Sequence, residues 1–327
     1  MTPQLRYTIR VALIVALGGF LMGFDASVIS GVVTFIEPEF QLSNIELGWA
    51  VASLTLTATL AMMVAGPLSD RFGRRAVLKA AALLFSISAL ASAVAPDYIT
   101  LVAARMLGGL GVGAALIIAP MYIAEISAPE VRGRLVSFNQ LNIVVGISAA
   151  YFSNFLILHF GQSDLPWAEA LRLGDWNWRW MLGVEALPAI FYFLALFFVP
   201  ESPRWLIMRG RETESLDILS RATGPDRAAE AINDVKTMLR AEAGEAQGTL
   251  RELFTPAMKL VLTIGVAVAI LQQITGINAV FFYAPMIFEQ SGVGTDASFM
   301  QAVLVGLVNL VFTVLATMTI DKLGRRP

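Results

Sequence analysis

The chain has 327 residues, of which 57% are hydrophobic and 15% are charged, and its formal net charge is −2. Soluble domains average about 45–50% apolar and about 25% charged residues, so this composition excludes a disordered protein, a nucleic-acid binder and an ordinary cytosolic enzyme. With no cysteine and a single histidine, His159, the chain has no residues for a disulfide framework or a zinc cluster, and we expect neither metal nor cofactor.

Eight apolar runs are long enough to cross a bilayer, whose hydrocarbon core of about 30 Å requires about 20 residues of helix. They are 9–31, 47–67, 76–95, 99–123, 135–160, 178–199, 258–288 and 298–320. Lipid accommodates only helices or closed barrels, and these runs are too long and too uniformly apolar for barrel strands. The sequence therefore predicts an all-α, polytopic membrane protein.

The basic residues are distributed unevenly between the two sides of these spans. If the N-terminus is cytoplasmic, only Arg105, Arg172 and Arg179 of the 23 lysines and arginines fall outside the cytoplasmic tail, connections and helix ends. Short cytoplasmic loops are the ones that are rich in lysine and arginine. We therefore predict a multi-pass protein of the plasma or inner membrane with a cytoplasmic N-terminus.

Residues 201–257 form the one long polar stretch between predicted spans. Apolar residues recur there at helical spacing, as at Leu216, Leu219 and Val235, which predicts two or three short amphipathic helices on the cytoplasmic side. The chain then divides into a six-helix transmembrane bundle at 1–200, this cytoplasmic helical segment at 201–257, and the first two helices of a second bundle at 258–327.

A short motif occurs after the second helix of each presumed half. Asp70 is followed by Gly-Arg-Arg at 73–75, and Asp321 by the same triplet at 324–326. Parallel repeats of this kind are typical of transporters built from two six-helix halves, although both motifs are also explained by simple cytoplasmic anchoring. A second half that has only two of its six helices before Pro327 indicates a truncated chain.

Several further motifs follow one another in a fixed order. They are GGFLMGFD at 18–25, RMLGGLGVG at 105–113, PMYIAE at 120–125, PESPRWL at 200–206 and QQITGIN at 272–278. Together with the repeated loop motif, this set resembles the sugar porter family of the major facilitator superfamily, and the resemblance covers essentially the whole chain. The sequence departs from the family at Met22 and Phe24, where members often have Phe and Tyr.

The resemblance implies a major facilitator fold with eight of its twelve transmembrane helices present. It also implies a transporter and not an enzyme, which moves a hexose or pentose through the lipid bilayer by alternating access, coupled to protons and acting as a monomer. A facilitative sugar uniporter, a sugar sensor without transport, and an inactive truncated fragment are the alternatives.

Three ionisable residues interrupt the apolar runs, and such residues in a membrane mark functional sites by default. Asp25, Arg105 and Glu185 all lie about 9–10 Å below the outer surface, at a rise of 1.5 Å per residue. Proton-coupled sugar porters look similar at these positions, which implies that Asp25 gains and loses a proton as its pairing with Arg105 changes. The alternative is a static ion pair that only orients the helices.

Amide side chains form a second group within the apolar runs. An amide supplies both donors and acceptors, which a sugar hydroxyl requires, and the family match points to sugar binding. The five candidates are Gln140, Gln272, Gln273, Asn278 and Asn309. A helix break near Gly276 would bring Gln272 and Asn278 together, whereas hydrogen bonds between helices are the alternative role.

Charged residues flank the cytoplasmic ends of helices 2, 4 and 6. They are Asp70, Arg74, Glu125, Arg132, Glu201 and Arg204. In the family, such residues look like a salt-bridge network that latches the two halves in the outward-open state, and anchoring alone is the alternative. Three tryptophans near the outer boundary, at 176, 178 and 180, are expected to be interfacial anchors.

Overall fold

The computed structural model describes residues 2–244 and 255–323, and within these ranges the regular secondary structure is helical. Five long helices come first. They are α1 (Pro3–Glu39), α2 (Asn44–Phe72), α3 (Arg74–Ala93), α4 (Tyr98–Ile126) and α5 (Pro129–Gly161). Each is long and apolar enough to cross a membrane, which confirms the first five predicted spans.

Local signals at the helix starts explain where these helices begin. The Ser43 hydroxyl accepts from the backbone N–H of Glu46, and the Glu46 carboxylate accepts from the N–H of Ser43, which makes a capping box at the start of α2. The Asp97 carboxylate likewise accepts from the N–H of Thr100, at 2.9 Å, and starts α4. These side chains bind backbone N–H groups that have no partner within the helix.

The sixth predicted span is not one continuous helix. A short outer helix, α6 (Pro166–Ala170), is followed by α7 (Asn177–Gly183) and α8 (Ala186–Ala195). Pro188 has no N–H to donate to the carbonyl of Val184, and the N–H of Leu187 takes that place at 3.2 Å. The turn between α7 and α8 follows from this shift and holds Glu185.

The expectation that the outer tryptophans are interfacial anchors is wrong for Trp178. Trp178 is buried, and its indole N–H donates to the Glu39 carboxylate at 2.6 Å. The guanidinium of Arg179 lies over the same ring, 4.2 Å from its centre, and pairs with Glu39 at 3.3 Å. Trp178 therefore connects the ends of α1 and α7, whereas Trp176 is exposed.

Three helices follow the sixth span. They are α9 (Pro203–Met208), α10 (Glu212–Thr223) and α11 (Pro225–Gly244). Ile207, Leu219, Ala228 and Ile232 bring their apolar faces together in one cluster. The Thr8 hydroxyl donates to the carbonyl of Ala222 at 3.2 Å, which places the start of α1 beside α10.

The same side of the molecule holds the other polar ends. The Arg209 guanidinium donates to the carbonyl of Asp70, at the end of α2, and Arg227 pairs with Glu130, at the start of α5, at 2.9 Å. The start of α1, the end of α2, the start of α5 and α9–α11 therefore share one face, in agreement with the alternation that the spans require.

The last part of the chain contains a broken helix and a long one. They are α12 (Pro256–Ile274), α13 (Ile277–Phe282), α14 (Ala284–Gln290) and α15 (Thr295–Leu323). The break that separates α12 from α13 lies at Gly276, whose φ of +74° is left-handed, so the predicted span 258–288 is three helices. Of the second copy of the repeated motif, 324–326 lies outside the described residues.

The second half contacts the first through α5. The Ser148 hydroxyl donates to the carbonyl of Gly306, at 3.0 Å, and the Tyr151 hydroxyl to the carbonyl of Phe281, at 2.6 Å. A Cβ on Gly306 would lie 2.9 Å from the Tyr151 ring. The absence of a side chain at Gly306 therefore allows α15 to lie close against α5.

Candidate functional site

The structure brings the three predicted ionisable residues together in the interior of the helix bundle. Asp25 on α1 and Arg105 on α4 are each 2% exposed, and Glu185 between α7 and α8 is 3% exposed. The Arg105 guanidinium lies 3.5 Å from Oδ1 of Asp25. Glu185 interacts electrostatically with both groups, so all three sit in one buried cluster.

Arg105 also contacts a third helix. Its Nε donates to the backbone carbonyl of Ala50, on α2, at 3.2 Å. The guanidinium has several donors in a fixed plane, so a single side chain binds α1 through Asp25 and α2 through Ala50. The ion pair is therefore held at a junction of α1, α2 and α4.

Two oxygens of the cluster have no hydrogen-bond partner among the described residues. They are Oδ2 of Asp25 and Oε1 of Glu185, and both are buried. A buried carboxylate oxygen without a partner is costly, and such exceptions call for an explanation. Each of these two oxygens can therefore still accept a hydrogen bond.

Two of the five candidate amides are hydrogen-bonded to each other, and the other three are not. Asn278 donates to the side-chain oxygen of Gln273 at 2.9 Å, across the break at Gly276. We expected the break to bring Gln272 to Asn278. The residue that it brings to Asn278 is instead the next glutamine, Gln273. The other three candidate amides make no side-chain hydrogen bond within the described part of the chain. They are the exposed Gln140 on α5, the exposed Gln272 on α12 and the half-buried Asn309 on α15.

At the opposite end of the first bundle, Arg74 is the centre of a second charged cluster. It is 3% exposed, and it binds Asp70 at 2.7 Å and both oxygens of Glu125 at 3.1 Å. Its guanidinium also donates to the carbonyl of Ser69. Arg74 thereby joins the end of α2 to the end of α4.

Glu201 joins this cluster through the backbone. Its Oε1 accepts from the N–H groups of Arg75, at 3.0 Å, and Ser202, at 2.9 Å. Gly73, with a φ of +98°, passes close to the same carboxylate, and a Cβ at this position would collide with it. Arg132 and Arg204 line the adjoining cavity of about 600 Å³ together with Asp70, Arg74 and Glu125.

Sequence reasoning missed Ser202 in this cluster. Its hydroxyl donates to Oε2 of Glu125 at 2.5 Å and accepts from the N–H of Trp205 at 3.3 Å. A serine directly before a proline, as at 202–203, is the signature of a helix start with the serine as N-cap. That signal identifies the cap, although it does not reveal the contact with α4.

The described residues contain no group of three or more His, Cys, Asp or Glu side chains that could hold a metal ion. The charged clusters are instead ion pairs within and between helices. What the geometry offers chemically is a buried carboxyl pair beside one guanidinium, and a breakable set of ion pairs at one end of the bundle.

Comparison with known proteins gives a consistent set of relatives. A family model described as "Sugar (and other) transporter" matches residues 11–327. The arabinose-proton symporter of Bacillus subtilis is 40% identical over 320 residues, which cover 98% of this chain and 67% of that protein. The D-xylose-proton symporter of Escherichia coli is 38% identical over 347 residues, with shares of 98% and 68%.

Solved structures show the same similarity. The proton:xylose symporter XylE bound to 6-bromo-6-deoxy-D-glucose is 37% identical, with a TM-score of 0.85 over 99% of this chain and 71% of that one. The partially occluded inward-open form of XylE from E. coli is 36% identical, with a TM-score of 0.83 and shares of 98% and 75%. The chain thus spans about two thirds of the length of the curated relatives that it matches.

Proposed function

This chain belongs to the sugar transporter family of multi-pass membrane proteins, with the major facilitator fold, and on that premise we propose that it imports a pentose or hexose together with a proton. The observation that carries the proposal is the buried pair of Asp25 and Arg105, 3.5 Å apart, in which Oδ2 of Asp25 has no described partner. The relatives named above as proton symporters for arabinose and xylose support both the substrate class and the coupling.

Charge balance in the cluster supports proton binding. Asp25 and Glu185 carry two negative charges when both are ionised, and Arg105 supplies one positive charge. An uncompensated charge in a buried site is expensive, so the excess negative charge favours proton binding by one of the two carboxyls. Whether Asp25 holds that proton then depends on where Arg105 lies.

The guanidinium of Arg105 can change the proton affinity of Asp25 by moving. In the described state Arg105 binds Asp25 and the Ala50 carbonyl, and Glu185 interacts electrostatically with both charged groups. A movement of α7 and α8 relative to α4 that turns Arg105 towards Glu185 leaves Asp25 without its counter-charge, and Asp25 then takes the proton. Protonation is thereby linked to a rearrangement of helices, which alternating access requires.

The amides supply the proposed sugar contacts. The hydrogen bond between Asn278 and Gln273 fixes both side chains at the break in the seventh span. Gln140 and Gln272 present exposed amide groups, and Asn309 a half-buried one, so their donors and acceptors are available to hydroxyl groups. Sugar binding across α5, α12, α13 and α15 would draw the second half towards the first.

The cluster around Arg74 is the proposed latch. Asp70, Glu125, Glu201 and Ser202 hold the ends of α2 and α4 and the start of α9 together on the N-terminal side. Exposed ion pairs contribute only about 0–1 kcal/mol, so the pair of Arg74 with the exposed Asp70 suits a contact that breaks in each cycle. Arg132 and Arg204 line the cavity beside this pair. The positive-inside distribution of lysine and arginine supports a cytoplasmic location for this face, in a plasma or inner membrane.

Sugar-induced proton movement tests the proposal. Cells that express the protein as its gene encodes it are given xylose, arabinose and glucose in turn in weakly buffered medium, and the external pH is followed. Alkalinisation with uptake is the result expected of a symporter. Uptake without alkalinisation would identify a uniporter, and binding without uptake a sensor, and either result would overturn the proposal.

A further inference from the structure

A serine outside every motif described above faces the proton-binding carboxyl. Ser88 lies on α3, is 4% exposed, and its hydroxyl makes no hydrogen bond to any described residue. The neighbouring hydroxyl of Ser86, on the same helix, instead donates to the carbonyl of Ala82 at 2.9 Å. That intrahelical bond is the usual arrangement for serine in a membrane helix, and Ser88 departs from it.

Gly108 on α4 shows where the Ser88 hydroxyl points. A Cβ built on Gly108 would lie 2.5 Å from Oγ of Ser88 and 2.9 Å from Oδ2 of Asp25. The two oxygens therefore converge on one point above the α carbon of Gly108. Neither oxygen has a hydrogen-bond partner among the described residues, Oδ2 of Asp25 on α1 or the hydroxyl of Ser88 on α3.

The chemistry of the two groups is complementary in both protonation states of the carboxyl. An ionised carboxylate only accepts hydrogen bonds, whereas a protonated carboxyl also donates one, and a hydroxyl both donates and accepts. Arg105, the other partner of Asp25, only donates. A hydroxyl is thus the neighbour that allows a buried carboxyl to gain or lose a proton without leaving an unpaired polar atom in either state.

We propose that Ser88 is a positioning residue for proton transfer. In the described state the two oxygens lie beside Gly108 without a hydrogen bond between them, and the Ser88 hydroxyl binds Oδ2 of Asp25 when a small shift of α3 or α1 brings them together. The hydroxyl donates to the ionised carboxylate and accepts from the protonated carboxyl. The glycine is required because any side chain at position 108 would occupy the space in which the two oxygens meet. The inference rests on the proposed symport, since it assigns a role to Ser88 only if Asp25 carries the proton.

The test compares two serines of equal size and similar burial. Ser88→Ala and Ser86→Ala are each assayed for net sugar-driven proton uptake and for sugar exchange at equal sugar concentrations, which requires no net proton transfer. We expect Ser88→Ala to slow net uptake by about tenfold or more, the effect of one lost hydrogen bond to a charged group, with exchange unchanged. Ser86→Ala should leave both rates near wild type, and Ser88→Thr should restore net uptake.

A second pair of variants addresses Gly108 directly. Gly108→Ala inserts a methyl group between Ser88 and Asp25, whereas a Cβ at Gly48 meets nothing within 4 Å. We expect Gly108→Ala to lower net proton-coupled uptake at least as much as Ser88→Ala, and Gly48→Ala to be neutral. This pair keeps the inference testable if Ser88→Ala is poorly expressed.

The outcomes separate this inference from the proposed function. Wild-type protein that takes up sugar without proton movement would overturn both. Wild-type protein that moves protons, with Ser88→Ala and Gly108→Ala at wild-type rates, would overturn the role of Ser88 alone. Equal losses of net uptake and exchange in Ser88→Ala would also contradict it, because they indicate a structural defect.

Discussion

The two contacts of Arg105 explain why an arginine, and not a lysine, stands at the centre of the buried cluster. It uses two different nitrogens for two different helices, Nε for the carbonyl of Ala50 and a terminal nitrogen for Asp25. A lysine ammonium has no such fork and could not hold the same two groups in fixed directions. The residue at this position thus both neutralises the carboxyl and fixes its place between α2 and α4.

The two carboxylates that bind Arg74 differ in burial, and this predicts unequal effects of their removal. The Glu125 side chain is 10% exposed and binds Arg74 through both oxygens, whereas the Asp70 side chain is 53% exposed. Removing one partner of a buried pair costs about 3–5 kcal/mol, and exposed pairs contribute about 0–1 kcal/mol. Glu125→Gln should therefore lower the free energy of unfolding far more than Asp70→Asn.

Thermal unfolding of both variants in detergent measures this difference. Equal shifts in the midpoint of the two variants would show that burial does not determine the strength of the Arg74 cluster. Asp175→Asn serves as a control, since Asp175 forms an exposed pair with Arg172 on the other side of the molecule.

Residue identity alone revealed some members of the two clusters and concealed others. Asp25, Arg105 and Glu185 were found because a charge within an apolar run is rare and costly. Ser88 and Ser202 were missed because serine is ordinary in such helices and usually bonds to its own backbone, as Ser86 does. Only the packing of α3 against α4 shows that Ser88 faces a carboxyl.

At the scale of the elements, α4 is built for close contact on two sides. A Cβ at Gly109 or Gly113 would collide with backbone carbonyls of α2, at Leu54 and Ala58, while Gly108 faces α3 and α1. Small residues at helix interfaces let backbones approach in membranes, where lipid leaves no hydrophobic drive between helices. The glycines of the 105–113 motif therefore let α4 pack close to α2 and α3, and this close packing determines where Arg105 lies.

The break in the seventh span depends on one backbone conformation. Gly276 has a φ of +74°, and a Cβ there would meet nothing within 4 Å. Gly276→Ala therefore adds only the cost of a left-handed residue with a side chain, about 1–2 kcal/mol. We expect lower stability and weaker sugar binding, since the Gln273–Asn278 bond spans this turn.

Gly265→Ala is the matched control, because Gly265 lies within α12, has no positive φ and also faces open space. A ligand-binding assay on the detergent-solubilised protein compares the two variants. Sugar affinity in Gly276→Ala that equals that of Gly265→Ala would contradict a role for the turn in binding.

The sequence predicted which segments span the membrane better than it predicted the residues at which the helices begin and end. Hydropathy indicated 9–31 for the first span, whereas α1 runs from Pro3 to Glu39. Apolar residues end where lipid ends, but the hydrogen-bond ladder of a helix continues into water. The turn at Glu185 and the separation of α13 from α14 were missed because both segments are predominantly apolar, and hydropathy does not register a change in backbone bonding.

At the scale of the whole molecule, the described contacts define two faces whose assignment to the two sides of a membrane is testable. These 327 residues contain no cysteine, so a single cysteine introduced among them is a unique label within this part of the protein. We expect Asp164→Cys, near the end of α5, to react with a membrane-impermeant maleimide in intact cells. Thr213→Cys, exposed on α10, should react only after permeabilisation.

The reverse pattern of labelling would invert the predicted orientation. Labelling of both positions in intact cells would show that one of the two faces has been misassigned. Because the start of α1 packs on α10 through Thr8 and Ala222, the result for Thr213 also locates the N-terminus.

The central claim is that Asp25 carries the proton, and Asp25→Asn tests it most directly. Asparagine has nearly the same size and still accepts from Arg105, but it cannot bind and release a proton. In the protein as its gene encodes it, we predict that Asp25→Asn exchanges sugar across the membrane yet neither accumulates it against a gradient nor alkalinises the medium. Accumulation of sugar by Asp25→Asn at the wild-type level would contradict the account.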